Sequence, residues 1–163
     1  MNIILCGMPG CGKTTVAEVL ARRGKKVYDT DAEIVKKHGE ISEIFARFGE
    51  RYFRDLETQT VKELSLLNEV VIATGGGCLL REENVNAFKS CGKIIYLKTQ
   101  VTTLLKRVEG DTARPLLQGD TRARLEKLYS DRKEVYENSA DIIIDTDDLS
   151  PEQIADIITE KLK

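Results

Sequence analysis

Gly7-Met8-Pro9-Gly10-Cys11-Gly12-Lys13-Thr14 is the stretch whose reading decides the fold, because it matches G-x-x-x-x-G-K-[ST] in full. The short apolar run Asn2-Ile3-Ile4-Leu5-Cys6 precedes it and reads as a buried strand. Thr15-Val16-Ala17-Glu18-Val19-Leu20-Ala21 follows, and its Val16, Val19 and Leu20 spacing reads as a helix with one apolar face. Glycines let consecutive backbone N–H groups turn toward one point, and a helix N-terminus adds partial positive charge there. Lys13 is then placed to reach β- and γ-phosphates, and the Thr14 hydroxyl to ligate Mg²⁺. A Gly-rich turn can also join a strand to a helix with no ligand, but strand, complete motif and helix together point to a nucleoside triphosphate site. Gly10, Cys11, Gly12, Lys13, Thr14 and Thr15 are its candidate residues.

The 163 residues fit one domain with a substantial core. A net charge of -2 gives no general attraction to nucleic acid or an anionic membrane, and with 6% aromatics and no Trp, stacking platforms are not expected. No apolar run approaches the roughly 20 residues that span a bilayer. The first strand starts at once, which leaves no room for a signal peptide and makes the cytoplasm the expected compartment. Cys6, Cys11, Cys78 and Cys91 form no C-x-x-C pair, and His38 is the sole histidine, so a zinc site is poorly supported. Cys6 reads as a packing residue and Cys91 as a loop residue. Cys11, at a helix N-terminus, is expected to be open to oxidation or alkylation. His38 reads as a helix-end cation.

Short apolar runs alternate with helical patterns along the chain. Strands are expected at Ile3–Cys6, Lys26–Tyr28, Val70–Ala73, Ile94–Leu97 and Ile142–Ile144. That order implies an α/β fold, a three-layer α/β/α arrangement with a five-stranded parallel sheet. Tyr52 to Leu67 carries an apolar stripe of Phe53, Leu56, Thr60, Val61, Leu64 and Leu67. Ser150-Pro151-Glu152-Gln153 starts a final helix with an N-cap, a proline at the first turn and a capping-box glutamine. The polar, Gly-containing segment at about 109–120 is expected to be a mobile lid.

Among P-loop proteins, GTPases read guanine with N-K-x-D, which is absent. Ile142-Ile143-Ile144-Asp145 imitates the magnesium-holding strand of ATPases, yet no acid follows to activate water, so Asp145 reads as a turn residue. Asp29-Thr30-Asp31 is the better acidic element. Asp29 is expected at the tip of the second strand, beside the P-loop, as in common doubly wound sheets. Asp31 either projects toward an acceptor or N-caps the helix at Ala32-Glu33-Ile34. Gly75-Gly76-Gly77 follows a strand and suits close approach to a ligand, since three glycines are entropically costly. Spacing alone would leave Arg54 and Arg132 as surface residues.

In order and spacing, the P-loop, Asp29-Thr30-Asp31, Phe53-Arg54 with Glu57, Gly75-Gly76-Gly77, Arg114-Pro115-Leu116-Leu117, and Arg132 with Tyr136 resemble the shikimate kinase family over essentially the whole chain. The resemblance implies a P-loop kinase of one domain, with a substrate-binding region at about 31–60. Its reaction would be transfer of the ATP γ-phosphoryl group to the shikimate 3-hydroxyl, on the route to chorismate and the aromatic amino acids. It implies ATP and shikimate as substrates, one Mg²⁺ held by Thr14 and Asp29, and a monomer. Asp31, Lys13 and Arg114 become the catalytic candidates, and Asp31, Arg54, Gly75, Gly76, Gly77 and Arg132 the shikimate contacts. Arg107, Arg114 and Pro151 join the nucleotide site, with Glu57 orienting Arg54. Asp147-Asp148-Leu149 departs from the basic residue often found before that proline. Gluconate or nucleoside monophosphate kinases, and a non-catalytic nucleotide sensor, remain the competing readings; the acceptor that releases ADP separates them.

Overall fold

β1 (Asn2–Cys6) is buried along its whole length because it has a parallel neighbour on each edge and helices on both faces. The computed structural model describes residues 1–109 and 121–163, and it places five strands in the order β2-β3-β1-β4-β5, all parallel. β2 is Lys26–Asp29, β3 Val70–Ala73, β4 Gly92–Lys98 and β5 Ile142–Asp145. Ile4 lies opposite Ile72 on one side and Ile94 on the other, so branched side chains run straight across the centre of the sheet. β3 therefore separates β2 from β1, and Asp29 ends its strand beside Ala73 rather than beside the P-loop strand. β5 forms the far edge, which puts Asp145 two strands from β1 and leaves it a strand-end residue.

α1 (Lys13–Arg22) packs on the sheet with α7 (Pro151–Lys161), burying Val16, Ala17, Val19 and Leu20. α3 (Ile41–Ser65) and α4 (Glu82–Cys91) pack together with the 3-10 turn Cys78–Leu80, and α6 (Thr121–Ser139) covers that turn and β4. These make the second helical layer. α5 (Val101–Glu109) packs on α6. Among the described residues no helix is long and apolar enough to cross a membrane. The expected lid lies outside the described residues, apart from Glu109 at the end of α5.

Phe53, Leu56, Thr60, Val61 and Leu64 of the expected stripe are buried, but the helix ends at Ser65, so Leu67 lies beyond it and is only partly buried. The helix begins earlier than Tyr52, however. It starts at Ile41 and breaks at Gly49, where φ of 83° and ψ of 174° are backbone angles that only glycine takes cheaply. α2 (Thr30–His38) and the first half of α3 close over a separate apolar cluster of Ile34, Ile44, Phe53 and Leu56. The region around 31–60 thus has a small core of its own. Cys91 is the last residue of α4, not a loop residue, and His38 ends α2 as expected.

The capping box of α7 forms in full: Ser150 Oγ accepts from Gln153 N–H at 3.1 Å, and Gln153 Oε1 accepts from Ser150 N–H at 2.8 Å. It aims the helix that presents Pro151 and Ile154 to the cavity described below. Ser150→Ala is expected to lower stability by about 1 kcal/mol, read as a shift of the urea midpoint with an unchanged slope.

Candidate active site

The nucleotide half is built by the first turn of α1. Gly10 and Gly12 take φ of 81° and 99°, which folds the loop so that Cys11 N–H reaches Met8 O at 3.1 Å. A cavity of about 420 Å³ opens over this turn. Gly10, Gly12, Lys13, Thr14 and Thr15 line its polar end, and Leu149, Pro151 and Ile154 its apolar end. Arg107 crosses between them, donating from Nη1 to Gly10 O at 3.0 Å. Lys13 Nζ donates to Gly7 O at 2.8 Å and Met8 O at 3.1 Å, so loop carbonyls moor the ammonium at the polar end. Cys11 lines the cavity floor but is only 1% exposed. The expected chemical openness of its thiol is therefore overturned, because the loop folds the sulfur beneath itself. Asp147 Oδ1 accepts from Gln100 N–H at 3.0 Å, which ties the loop before Pro151 to the end of β4.

The second half gathers charged groups against the glycine triplet. A Cβ on Gly75 would lie 2.6 Å from Asp31 Oδ1. On Gly76 it would lie 2.5 Å from Arg132 Nη1, and on Gly77 2.5 Å from Arg54 Nη2. Each glycine thus leaves room for a different head group, and the close approach predicted for a ligand is made by the protein's own side chains. α2, α3 and α6 supply those side chains, and the turn after β3 supplies the platform. Gly75 N–H donates to the buried Thr30 Oγ1 at 2.8 Å, and Tyr136 OH donates to Gly76 O at 2.6 Å. Sequence reasoning gave neither Thr30 nor Tyr136 a role, nor did it find Leu149 and Ile154. A polar residue between two aspartates, and a tyrosine one turn beyond an arginine, were the available signals.

Asp29, not Asp31, caps α2: its Oδ1 accepts from Ala32 N–H at 2.9 Å. Asp31 is thereby released from the capping role and sits in the first turn of the helix. Burial pushes its carboxyl above the ordinary value of 3.8 and the Asp29 charge adds to the rise, while Lys13 and Arg54 oppose it. Arg54 Nη1 donates to Glu57 Oε1 at 2.9 Å, three residues on along one helix face. Glu57 is 1% exposed, and its Oε2 has no hydrogen-bond partner among the described residues. Burial raises the Glu57 carboxyl too, against the charge and hydrogen bond of Arg54.

Thr14, exposed at the cavity, and the second oxygen of Asp29 are hard oxygen donors of the kind Mg²⁺ prefers, and few are needed because that ion keeps several waters. Among the described residues no cluster of three His, Cys, Asp or Glu could hold a metal by itself. Arg114 lies outside the described residues. The remaining predicted residues fall into two groups by position: those lining the cavity over α1 and those gathered at the glycine triplet.

The sequence profile described as shikimate kinase matches residues 9–163. A shikimate kinase of Chromobacterium violaceum is 47% identical over 148 residues, covering 89% of this chain and 80% of its own. The solved shikimate kinase of Acinetobacter baumannii in complex with shikimate superposes with a TM-score of 0.89 at 36% identity, covering 99% of this chain and 92% of its own. The structure of shikimate kinase from Bacteroides thetaiotaomicron reaches 0.92 at 29% identity, with coverage of 99% and 98%.

The charge cluster has a consequence for stability. Folding raises the Asp31 pKa, so the native state holds that proton more tightly than the unfolded chain does. Stability is then lost as pH climbs from 3.8 through the raised native value. Asp31→Asn removes that loss. The variant is expected to melt above the wild type at pH 7, with the difference shrinking as pH is lowered toward 3.8. Equal melting temperatures at pH 7 would mean that Lys13 and Arg54 fully offset the burial.

Proposed function

The chain belongs to the shikimate kinase family, and from that premise we propose that it uses these two half-sites to move the γ-phosphoryl group of ATP to the 3-hydroxyl of shikimate. ADP and shikimate 3-phosphate are the products. The single observation that carries the assignment of residues is the convergence of Asp31, Arg132 and Arg54 on three consecutive glycines. Shikimate bears one carboxylate and three hydroxyls. Two guanidiniums and one carboxylate are the complementary set, because planar N–H forks suit a carboxylate and an anionic oxygen suits hydroxyls.

In this reading the cavity over α1 takes ATP. Backbone N–H groups of the loop and the head of α1 hold the phosphates, and Lys13 supplies positive charge where the transferred group leaves its bridging oxygen. Leu149, Pro151 and Ile154 offer an apolar wall for the base, with the Arg107 guanidinium across from it. Mg²⁺, when bound by Thr14 and Asp29, neutralises charge on the phosphates. Asp31 accepts a hydrogen bond from the attacking hydroxyl and aims its oxygen in line. A loose transition state asks for orientation more than for full proton removal. Arg54 and Arg132 hold the carboxylate, and Glu57 keeps Arg54 at its angle. Arg114 is assigned to charge in transit on the resemblance alone. The 31–60 region, with its own apolar cluster, is the acceptor-binding part of one domain.

The test is ADP release from Mg-ATP with shikimate, gluconate or AMP as acceptor. ADP is expected with shikimate and not with the other two; release with gluconate or AMP alone would overturn the acceptor assignment. Lys13→Ala is expected to lower kcat about a hundredfold or more, and Asp31→Asn by about a hundredfold with ATP affinity unchanged. Arg132→Ala is expected to raise the shikimate KM about tenfold to a hundredfold, the worth of hydrogen bonds between charged groups. An unchanged KM returns Arg132 to a surface charge.

A further inference from the structure

Tyr136 follows Arg132 by one turn of α6, so both side chains lie on one face of that helix. The ring is 2% exposed, and its hydroxyl donates to Gly76 O at 2.6 Å. A phenol has one proton to give, and here it goes to the Gly76 carbonyl. Arg132 Nη1 is pressed so close to Gly76 that a Cβ there would stand 2.5 Å from it. Phenol and guanidinium therefore meet at one residue, the phenol at the Gly76 carbonyl and the guanidinium where a side chain of residue 76 would lie.

A neighbouring ring gives an internal contrast. Tyr96 on β4 is also fully buried, its ring centroid 5.1 Å from that of Tyr136. Its hydroxyl finds no hydrogen-bond partner among the described residues. The two phenols share an environment and differ in wiring, since only Tyr136 reaches the loop that carries the glycine triplet.

We propose that Tyr136 is a positioning residue for the acceptor: its hydroxyl fixes Arg132 and the Gly76 carbonyl in one relation, so that the guanidinium presents its free N–H groups to the substrate carboxylate. This rests on the reading that Arg132 binds that carboxylate. An arginine has five donors on a long flexible stem, and bidentate pairing with a carboxylate needs two of them held in one plane. The tyrosine removes rotamer freedom before the substrate arrives, which reduces the ordering that binding would otherwise require. Phenylalanine at 136 keeps the ring packing and loses only this tether.

The experiment compares Tyr136→Phe, Tyr96→Phe, Arg132→Ala and the double variant Arg132→Ala/Tyr136→Phe. Steady-state KM for shikimate and for ATP is measured for each, with a calorimetric titration of shikimate alongside. Tyr136→Phe is expected to raise the shikimate KM about three- to tenfold, the range of one neutral hydrogen bond, with the ATP KM unchanged. Tyr96→Phe is expected to change neither. The double variant is expected to match Arg132→Ala, because a tether has no effect once its arginine is gone. A wild-type shikimate KM in Tyr136→Phe overturns the proposal. So does an equal rise in both KM values, which would report general loosening, and so do penalties that multiply in the double variant. Arg132→Ala with a wild-type shikimate KM would instead remove the carboxylate reading, and this inference with it.

Discussion

The absence of three β-carbons, at Gly75, Gly76 and Gly77, is the constraint on which the acceptor half of the molecule depends. Three charged head groups from three different helices reach one short turn, each against its own glycine. A single methyl at any of the three would displace an aspartate or an arginine. Asp31 sits in the first turn of α2, Arg54 is joined to Glu57, and Arg132 lies one helical turn before Tyr136. The turn must in turn be held where the charges meet. β3 fixes one end of it between β1 and β2. Thr30 and Tyr136 bind its backbone from opposite sides, through the Gly75 N–H and the Gly76 carbonyl.

Holding these groups together costs stability. Removing charged groups from water is unfavourable, and the Coulomb attraction among them repays it only in part. Both Asp31 and Glu57 have carboxyls raised by burial despite adjacent guanidiniums, and Glu57 keeps one oxygen without a partner among the described residues. An apolar cluster at the same place would be a better core. The fold tolerates the cluster because its main core lies elsewhere, on β1 and β3, which are buried throughout, and on the middle of β4. The acceptor region adds a small apolar cluster under α2 and α3, separate from that core and joined to the rest of α3 through the break at Gly49.

What was legible in the sequence was what is encoded locally. The phosphate loop, the stripe from Phe53 to Leu64 and the capping box at Ser150 are patterns a few residues long, and each formed as read. Sheet order was not legible, because inserting β3 between β1 and β2 depends on which faces the helices cover, not on the strands' own residues. Whether Asp31 capped α2 or faced an acceptor was not legible either, for a related reason. Either can cap a helix, and only the end of β2 decides which one does. Gly49 hid the first half of α3, since a glycine inside a helical pattern reads as a terminus. Cys11 looked accessible by position, but the loop turns its thiol inward. Tyr136 sat in plain view one turn after Arg132. Its partner, though, is a backbone carbonyl 60 residues away, and no side-chain pattern advertises a carbonyl.

The same cluster also sets how Asp31 works. Two carboxylates, Asp31 and Glu57, stand with two guanidiniums, Arg54 and Arg132, so the cluster is formally balanced in charge. The first turn of α2 and the Lys13 ammonium favour the Asp31 anion, while burial and Asp29 disfavour it. A substrate carboxylate placed between the guanidiniums adds negative charge to this balance and takes up much of the positive field that Arg54 exerts on Asp31. Like charge nearby favours the protonated form. On the proposed assignment, substrate binding therefore moves Asp31 further in the direction in which burial has already taken it. The residue proposed to orient the attacking hydroxyl would then become more basic when the substrate carboxylate is in place, through the two arginines proposed to bind that carboxylate.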